Sequence, residues 1–147
     1  MDDCIFCAIV ARKAEASIIY EDEIVCSFLT IGPVNPGHLL VIPKQHKPGL
    51  SDLDEETGMH LFQVTMQMAK ALRHSDLQCD GINLFLADGE AAFQDVFHVH
   101  MHVFPRFQGD PFKIDANWES KPSRQELNEI AERIRRADHF LRHEAHT

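Results

Sequence analysis

The chain has 147 residues, 44% of them apolar, which is enough for one core without disulfide staples and leaves no room for a second domain of ordinary size. A formal charge of −9, from 23 acidic against 14 basic residues, argues against a long nucleic-acid surface, which needs Lys and Arg along the phosphates. No apolar run approaches membrane-spanning length, and the acidic start Met1-Asp2-Asp3-Cys4 lacks the form of a secretion signal, so the cytoplasm is the expected compartment. In that reducing compartment Cys4, Cys7, Cys26 and Cys79 are expected to stay free of disulfides.

Cys4-Ile5-Phe6-Cys7 opens the chain. Two cysteines at this spacing supply half of a tetrahedral zinc site, and the other half has to come from elsewhere. Ile18-Ile19-Tyr20 and Ile24 to Leu29 are β-branched or aromatic runs flanking Glu21-Asp22-Glu23, a hairpin with Cys26 in its core. Gly32-Pro33-Val34-Asn35-Pro36-Gly37 is a loop that delivers His38 to the head of a third strand, Leu39 to Ile42, closed by Pro43. Ser51-Asp52-Leu53-Asp54 has the form of a capping box. It opens one long amphipathic helix over about 53–77, with Leu61, Thr65, Met68, Ala69 and Leu72 inward, the methionines filling core, and His60 and His74 solvated. Ile82 to Leu86 is a fourth strand, and Ala87 to Asp95 a turn and loop. From Ser123, with Glu126 completing a second capping box, a last helix carries Leu127, Ile130, Ile134, Ala137 and Leu141 as its stripe, with Arg133, Arg135 and Arg136 near its end. His139, His143 and His146 fall in a polar tail without an assigned role.

Between the loop and the last helix lies the most informative stretch, Val96-Phe97-His98-Val99-His100-Met101-His102-Val103-Phe104. Strict alternation is the period of a strand, so His98, His100 and His102 project from one face while Val99, Met101 and Val103 enter the core. Successive imidazoles stand roughly 6.7 Å apart along a strand, close enough to share one small substrate or to divide between two sites. One histidine on a sheet face is unremarkable. Three in alternation repel when charged and bury polar nitrogens when neutral, which points to a job for them.

His98 to Phe104 resembles the defining motif of the histidine triad family, three histidines alternating with apolar residues. The resemblance extends over Phe28-Leu29-Thr30-Ile31, Pro36-Gly37-His38, Val41 to Lys44 and His46, and again over Gly81-Ile82-Asn83, Asp88-Gly89 and Gln94, about residues 4–110 in all. It implies an α+β fold, a five-stranded antiparallel sheet with one long helix and a C-terminal helix. Two protomers would join as a homodimer in a continuous ten-stranded sheet. Residues 1–147 then form one domain, with 111–147 as an extension carrying the last helix. The implied reaction is attack on the α-phosphate of a purine nucleotide, with His100 as nucleophile, His102 on a phosphate oxygen, and His38 supporting the nucleophile. Gln94, with N–H groups around Phe93 and Asp95, would cradle the phosphate, and Asn83 belongs to the same substrate set. Phe6, Ile9, Phe28 and Ile31, with Ile5, resemble the slot for the base, although the same residues suit a plain core. The likeness to the bacterial zinc-carrying branch makes Cys4, Cys7, His46 and His98 ligands of one structural zinc per protomer, with no catalytic metal, nucleic acid or membrane implied.

Four positions depart from the family pattern. Thr30 stands where a carboxylate or amide usually meets the ribose, Ala87 replaces a side chain that reaches a phosphate, Phe93 replaces a glycine, and Asp95 puts a carboxylate near the leaving group. Two other readings follow: a nucleotide-binding regulator with little turnover, and a triad holding a catalytic metal.

Overall fold

The structure, a computed structural model, describes residues 3–144; Met1, Asp2 and His146 lie outside the described residues. The chain divides into two compact units, Met1–Phe112 and Lys113–Thr147. The first holds a helix α1 (Ile5–Val10), strands β1 (Ile18–Glu21), β2 (Val25–Leu29) and β3 (Leu39–Pro43), the long helix α2 (Glu55–His74), and strands β4 (Gly81–Leu86) and β5 (Met101–Arg106). The second holds α3 (Arg124–Glu144). No helix among the described residues is long and apolar enough to cross a membrane.

The five strands form one antiparallel sheet in the order β1-β2-β3-β5-β4, an α+β arrangement with β4 at an edge. Alternation sorts each strand onto two faces. On one, Val25, Leu39, Val41 and Val103 meet Leu61, Val64, Met68 and Leu72 of α2. On the other, Cys26, Phe28, Leu40 and Ile42 meet Phe6 and Ile9 of α1. Burying one such side chain is worth about 1.5–3 kcal/mol, so a one-residue slip that turned a strand over would cost far more than local propensity could return. That register carries the site. Phe28 pairs with Leu40, Leu40 with His102, and Phe85 with His102, so these four form a row across the face opposite α2.

The loop before β3 is held tightly. Gly37 has φ +96, and a Cβ there would stand 3.0 Å from both Leu72 and Leu77, so only glycine lets the backbone pass this close to α2 and turn into His38. Asn35 is buried and donates to the Pro105 carbonyl and to Asp110. Arg106 donates to the same Asp110, to Asn83 Oδ1 and to the Phe112 carbonyl, tying β4 and β5 to the segment after them.

Several elements differ from the sequence expectation. The strand of the histidine run begins at Met101, because Val99 N–H donates to the Lys47 carbonyl and the His98 carbonyl is taken by the His100 ring instead of a neighbouring strand. Met101 is half-buried, whereas Val99 and Val103 are fully buried. The long helix is shorter than 53–77. Asp52 is spent on Gly49 N–H in a short turn of 3₁₀ helix, Leu50–Asp52, and Asp54 caps α2 by accepting from Thr57 N–H. Ser75 ends it, its hydroxyl donating to the Leu72 carbonyl. Met68 fills core, but Met59 and Met66 are exposed.

His60 is not merely solvated. Its Nε2 lies 2.6 Å from Asp22, which also accepts from the Tyr20 hydroxyl and from the Ile24 and Val25 amides, so this ring fastens α2 to the β1–β2 turn. In the second unit the capping box forms as expected, Glu126 N–H to Ser123 Oγ and Ser123 N–H to the Glu126 carboxylate. The helix runs past the expected tail, placing His139 and His143 in α3 with ring centroids 4.4 Å apart. Arg135 and Arg136 pair with Glu132, and the basic residues of its last turn are Arg142 and His143.

Candidate active site and metal centre

The three alternating histidines divide between two sites. His98 is fully buried and turns toward the N-terminal cysteines. Cys4 caps α1, its Sγ accepting from Cys7 N–H, so one helical turn brings both sulfurs together. Cys4 Sγ and Cys7 Sγ lie 3.4 and 3.5 Å from His98 Nδ1, and Cys7 Sγ lies 3.3 Å from His46 Nδ1. All four ligand atoms fall within 4.8 Å of one another. A tetrahedral zinc with bonds of about 2.0–2.3 Å holds its ligand atoms about 3.3–3.8 Å apart, so the donor set fits that ion in type and spacing. His98 is prepared for it: Nε2–H donates to the Pro43 carbonyl at 2.7 Å, which leaves Nδ1 with its lone pair toward the sulfurs. Burial, and then Cys4 beside it, pushes the Cys7 thiol up to about 11.

His100 and His102 form the second site. The His98 carbonyl lies 2.8 Å from His100 Nδ1 and can only accept, so the proton sits on Nδ1 and Nε2 keeps a lone pair. A second chain of bonds fixes His102. Val34 N–H donates to His38 Nδ1 at 3.2 Å, so the His38 proton is on Nε2; that N–H reaches His102 Nδ1 at 2.9 Å, which places the His102 proton on Nε2. Burial depresses both rings to about 4, keeping them neutral near pH 7; at His102 the neighbouring His100 and His38 add to the effect. Phe104 stacks on His102 with an interplanar angle of 8° and packs against His38 at 4.2 Å, locking both planes. His100 and His102 stand 4.9 Å apart between centroids, one ring offering a lone pair and the other an N–H. The ring that His38 reaches is therefore that of His102, and its support of His100 is indirect.

The other expected substrate residues are placed less uniformly. Gln94 is buried and its amide is fully engaged: Oε1 accepts from Gly89 N–H, while Nε2 donates to the carbonyls of Pro48 and Val96. The amides of Phe93 and Gln94 are bonded to Glu90 and Gly89, so Gln94 shapes the loop. Phe93 has φ +68 and is 85% exposed, an unusual conformation for a non-glycine residue that ends the short 3₁₀ turn Glu90–Ala92. Asp95 Oδ1 is 3.9 Å from His100 Nε2. Asn83 is held by Arg106. Phe6, Ile9 and Phe28 are buried, and Phe6 sets its edge against the His98 and His100 rings at 5.8 and 5.1 Å. Thr30 and Ile31 line a broad cleft of about 750 Å³ with residues 12–18 and Leu29, and Ile31 is fully exposed there.

Sequence reasoning missed the backbone groups that set these tautomers, the Val34 amide and the Pro43 and His98 carbonyls. Residue types carry no signal for them. Phe97 and Asp3, which line a cavity beside Asp95, were also passed over; the position of Phe97 immediately before the triad was the available hint.

A model of the HIT domain matches residues 11–109. The chain belongs to the histidine triad family. A HIT-like protein of Borreliella burgdorferi is 41% identical over 113 residues, covering 76% of this chain and 81% of that one. Among solved structures, a HIT family protein from Bacillus anthracis superposes with a TM-score of 0.83 at 39% identity, covering 92% of this chain and 97% of that chain. A zinc-bound histidine triad family protein from Mycobacterium smegmatis is 45% identical with a TM-score of 0.73, covering 85% and 87% of the two chains. In this HIT domain the matched region contains His38, His46 and the whole triad, while Cys4 and Cys7 precede it.

Proposed function

We propose that the chain is a nucleotide hydrolase or transferase that cleaves at the α-phosphate of a nucleoside phosphoramidate, an adenylate or a dinucleoside polyphosphate, through a nucleotidyl-histidine on His100. Proteins of this family are generally nucleotide-binding hydrolases and transferases. The observation that carries the reading here is the bond from His100 Nδ1–H to the His98 carbonyl, which supports the tautomer with its lone pair on Nε2.

In this reading His100 Nε2 attacks phosphorus. The bond to the leaving group breaks with its electron pair, and the departing atom takes up a solvent proton. Water then attacks the nucleotidyl-histidine, the P–N bond breaks back to Nε2, and a nucleoside monophosphate leaves as the water proton passes to solvent. His102 Nε2–H donates to a phosphoryl oxygen, and His38 is a positioning residue that fixes the tautomer of His102. The purine is assigned to the slot of Ile5, Phe6, Ile9, Phe28 and Ile31, with Thr30 at the ribose.

Cys4, Cys7, His46 and His98 hold one structural zinc per protomer, a reading supported by their donor set and by the zinc-bound relative. Zinc there supplies a cross-link between α1 and the start of the triad. The edge strand β4, with Leu84 and Phe85 part-exposed, supports pairing with a second copy into a ten-stranded sheet. We expect this reaction in the cytoplasm.

Release of AMP from an adenosine phosphoramidate tests the reading. Changing His100→Ala should lower turnover by about three orders of magnitude or more while AMP still binds. Binding by the unaltered chain without turnover would favour the regulatory alternative, which the engaged amide of Gln94 encourages.

A further inference from the structure

We infer that Asp95 selects the leaving group, favouring an amine that carries a positive charge and disfavouring a polyphosphate; the inference rests on the hydrolase reading above. Two geometric facts carry it. The Asp95 carboxylate lies 3.9 Å from His100 Nε2 with its side chain 84% exposed, so phosphorus under attack by that nitrogen has this charge beside it. Asp95 also lines a cavity of about 340 Å³ with Asp3, Cys4, Ile5, His46, Val96 and Phe97.

A group leaving phosphorus into that cavity meets two carboxylates and apolar walls. Cys4 and His46 belong to the cluster assigned to the metal. A further phosphate beyond the α-position would bring negative charge within several ångströms of Asp95, whereas an ammonium borne by a leaving amine would pair with it. Near a protein surface one unit charge at such a distance changes an equilibrium by about tenfold. In the favoured reaction the P–N bond breaks as His100 Nε2 bonds to phosphorus, and the amine leaves with the electron pair and takes a proton from the solvent that reaches Asp95. The carboxylate acts by its charge and forms no bond to phosphorus.

The test compares kcat/KM for three substrates with the same adenylyl group, in the full-length zinc-loaded protein. These are a phosphoramidate whose amine bears a second, ammonium group, a phosphoramidate of a neutral amine of equal length, and diadenosine tetraphosphate. The unaltered protein should favour the cationic over the neutral amine, and the neutral amine over the polyphosphate. In Asp95→Asn, a change of charge at constant shape on an exposed side chain, the cationic-to-neutral ratio should fall about tenfold and the polyphosphate-to-neutral ratio should rise about tenfold or more. Turnover with both ratios unchanged in Asp95→Asn overturns the role of Asp95 and leaves the hydrolase reading standing. Absence of turnover on all three substrates in the unaltered protein overturns that reading and this inference with it.

Discussion

An imidazole can offer a lone pair or a proton from a given nitrogen, never both, and the backbone decides which for every ring of this site. The Pro43 carbonyl commits His98 Nδ1 to the sulfurs, the His98 carbonyl frees His100 Nε2, and the Val34 amide, acting through His38, turns His102 into a donor. The types and spacing of these histidines are plain in the sequence; their tautomers are not, because each depends on a backbone group brought in by folding. Burial keeps His38 and His102 neutral, with both depressed from 6.5 to about 4. A ring more easily protonated unfolded than folded stabilises the fold fully above pH 6.5, and that contribution is lost progressively as the pH falls toward 4. We therefore expect the ring resonances of His38 and His102 in a nuclear magnetic resonance titration to keep their neutral positions from pH 8 to about pH 5.5. An inflection near 6.5 in either would break the proposed chain of tautomers.

Among the strands and helices, legibility follows how much of an element is set by neighbours in sequence. The β1–β2 hairpin, β3 closed by Pro43, and β4 are all readable because apolar alternation and turn residues agree. The start of α2 was misplaced since Ser51 to Asp54 offers two carboxylates in caps of similar form, and only the fold shows that Asp52 serves Gly49 while Asp54 serves Thr57. The histidine strand starts at Met101 because the Lys47 carbonyl takes the Val99 amide and the His100 ring takes the His98 carbonyl, backbone groups that a ladder would have used. The bond of His60 to Asp22 was invisible for a related reason: a polar residue 38 positions away gives no local pattern. Asp22 shows how strongly that junction is held. Burial would raise its carboxyl, yet the Val25 amide, the His60 ring, the Ile24 amide and the Tyr20 hydroxyl together keep it well below the usual range.

Across the first unit, the proposed division of labour is between a cross-link and a reaction: the cysteine–histidine cluster brings α1 against the start of the triad, and Phe6 on that helix packs edge-on to His100. Removal of zinc by a strong chelator should lower the thermal midpoint by several degrees at least, because the metal binds only the assembled site. Cys7→Ser should show the low midpoint before chelation and little further change after it. Equal midpoints with and without metal in the unaltered chain would remove zinc from the fold's stability. Family membership and the α+β sheet were within reach of the sequence, and the resemblance named the Cys4, Cys7, His46 and His98 set that the fold brings into one cluster, since each rests on residue identity. The commitment of Gln94 and Asn83 to the protein's own groups was not, since it rests on partners that folding supplies.

The account depends on His100 Nε2 being an uncharged nucleophile aimed at phosphorus. Its most direct test is the intact mass of the protein quenched within milliseconds of mixing with an adenosine phosphoramidate, followed by peptide mapping. The account predicts a transient species heavier by one adenylyl group, with the group on His100 and absent from His100→Ala. Substrate turnover with no adduct at any time, or an adduct mapped to another residue, would contradict it.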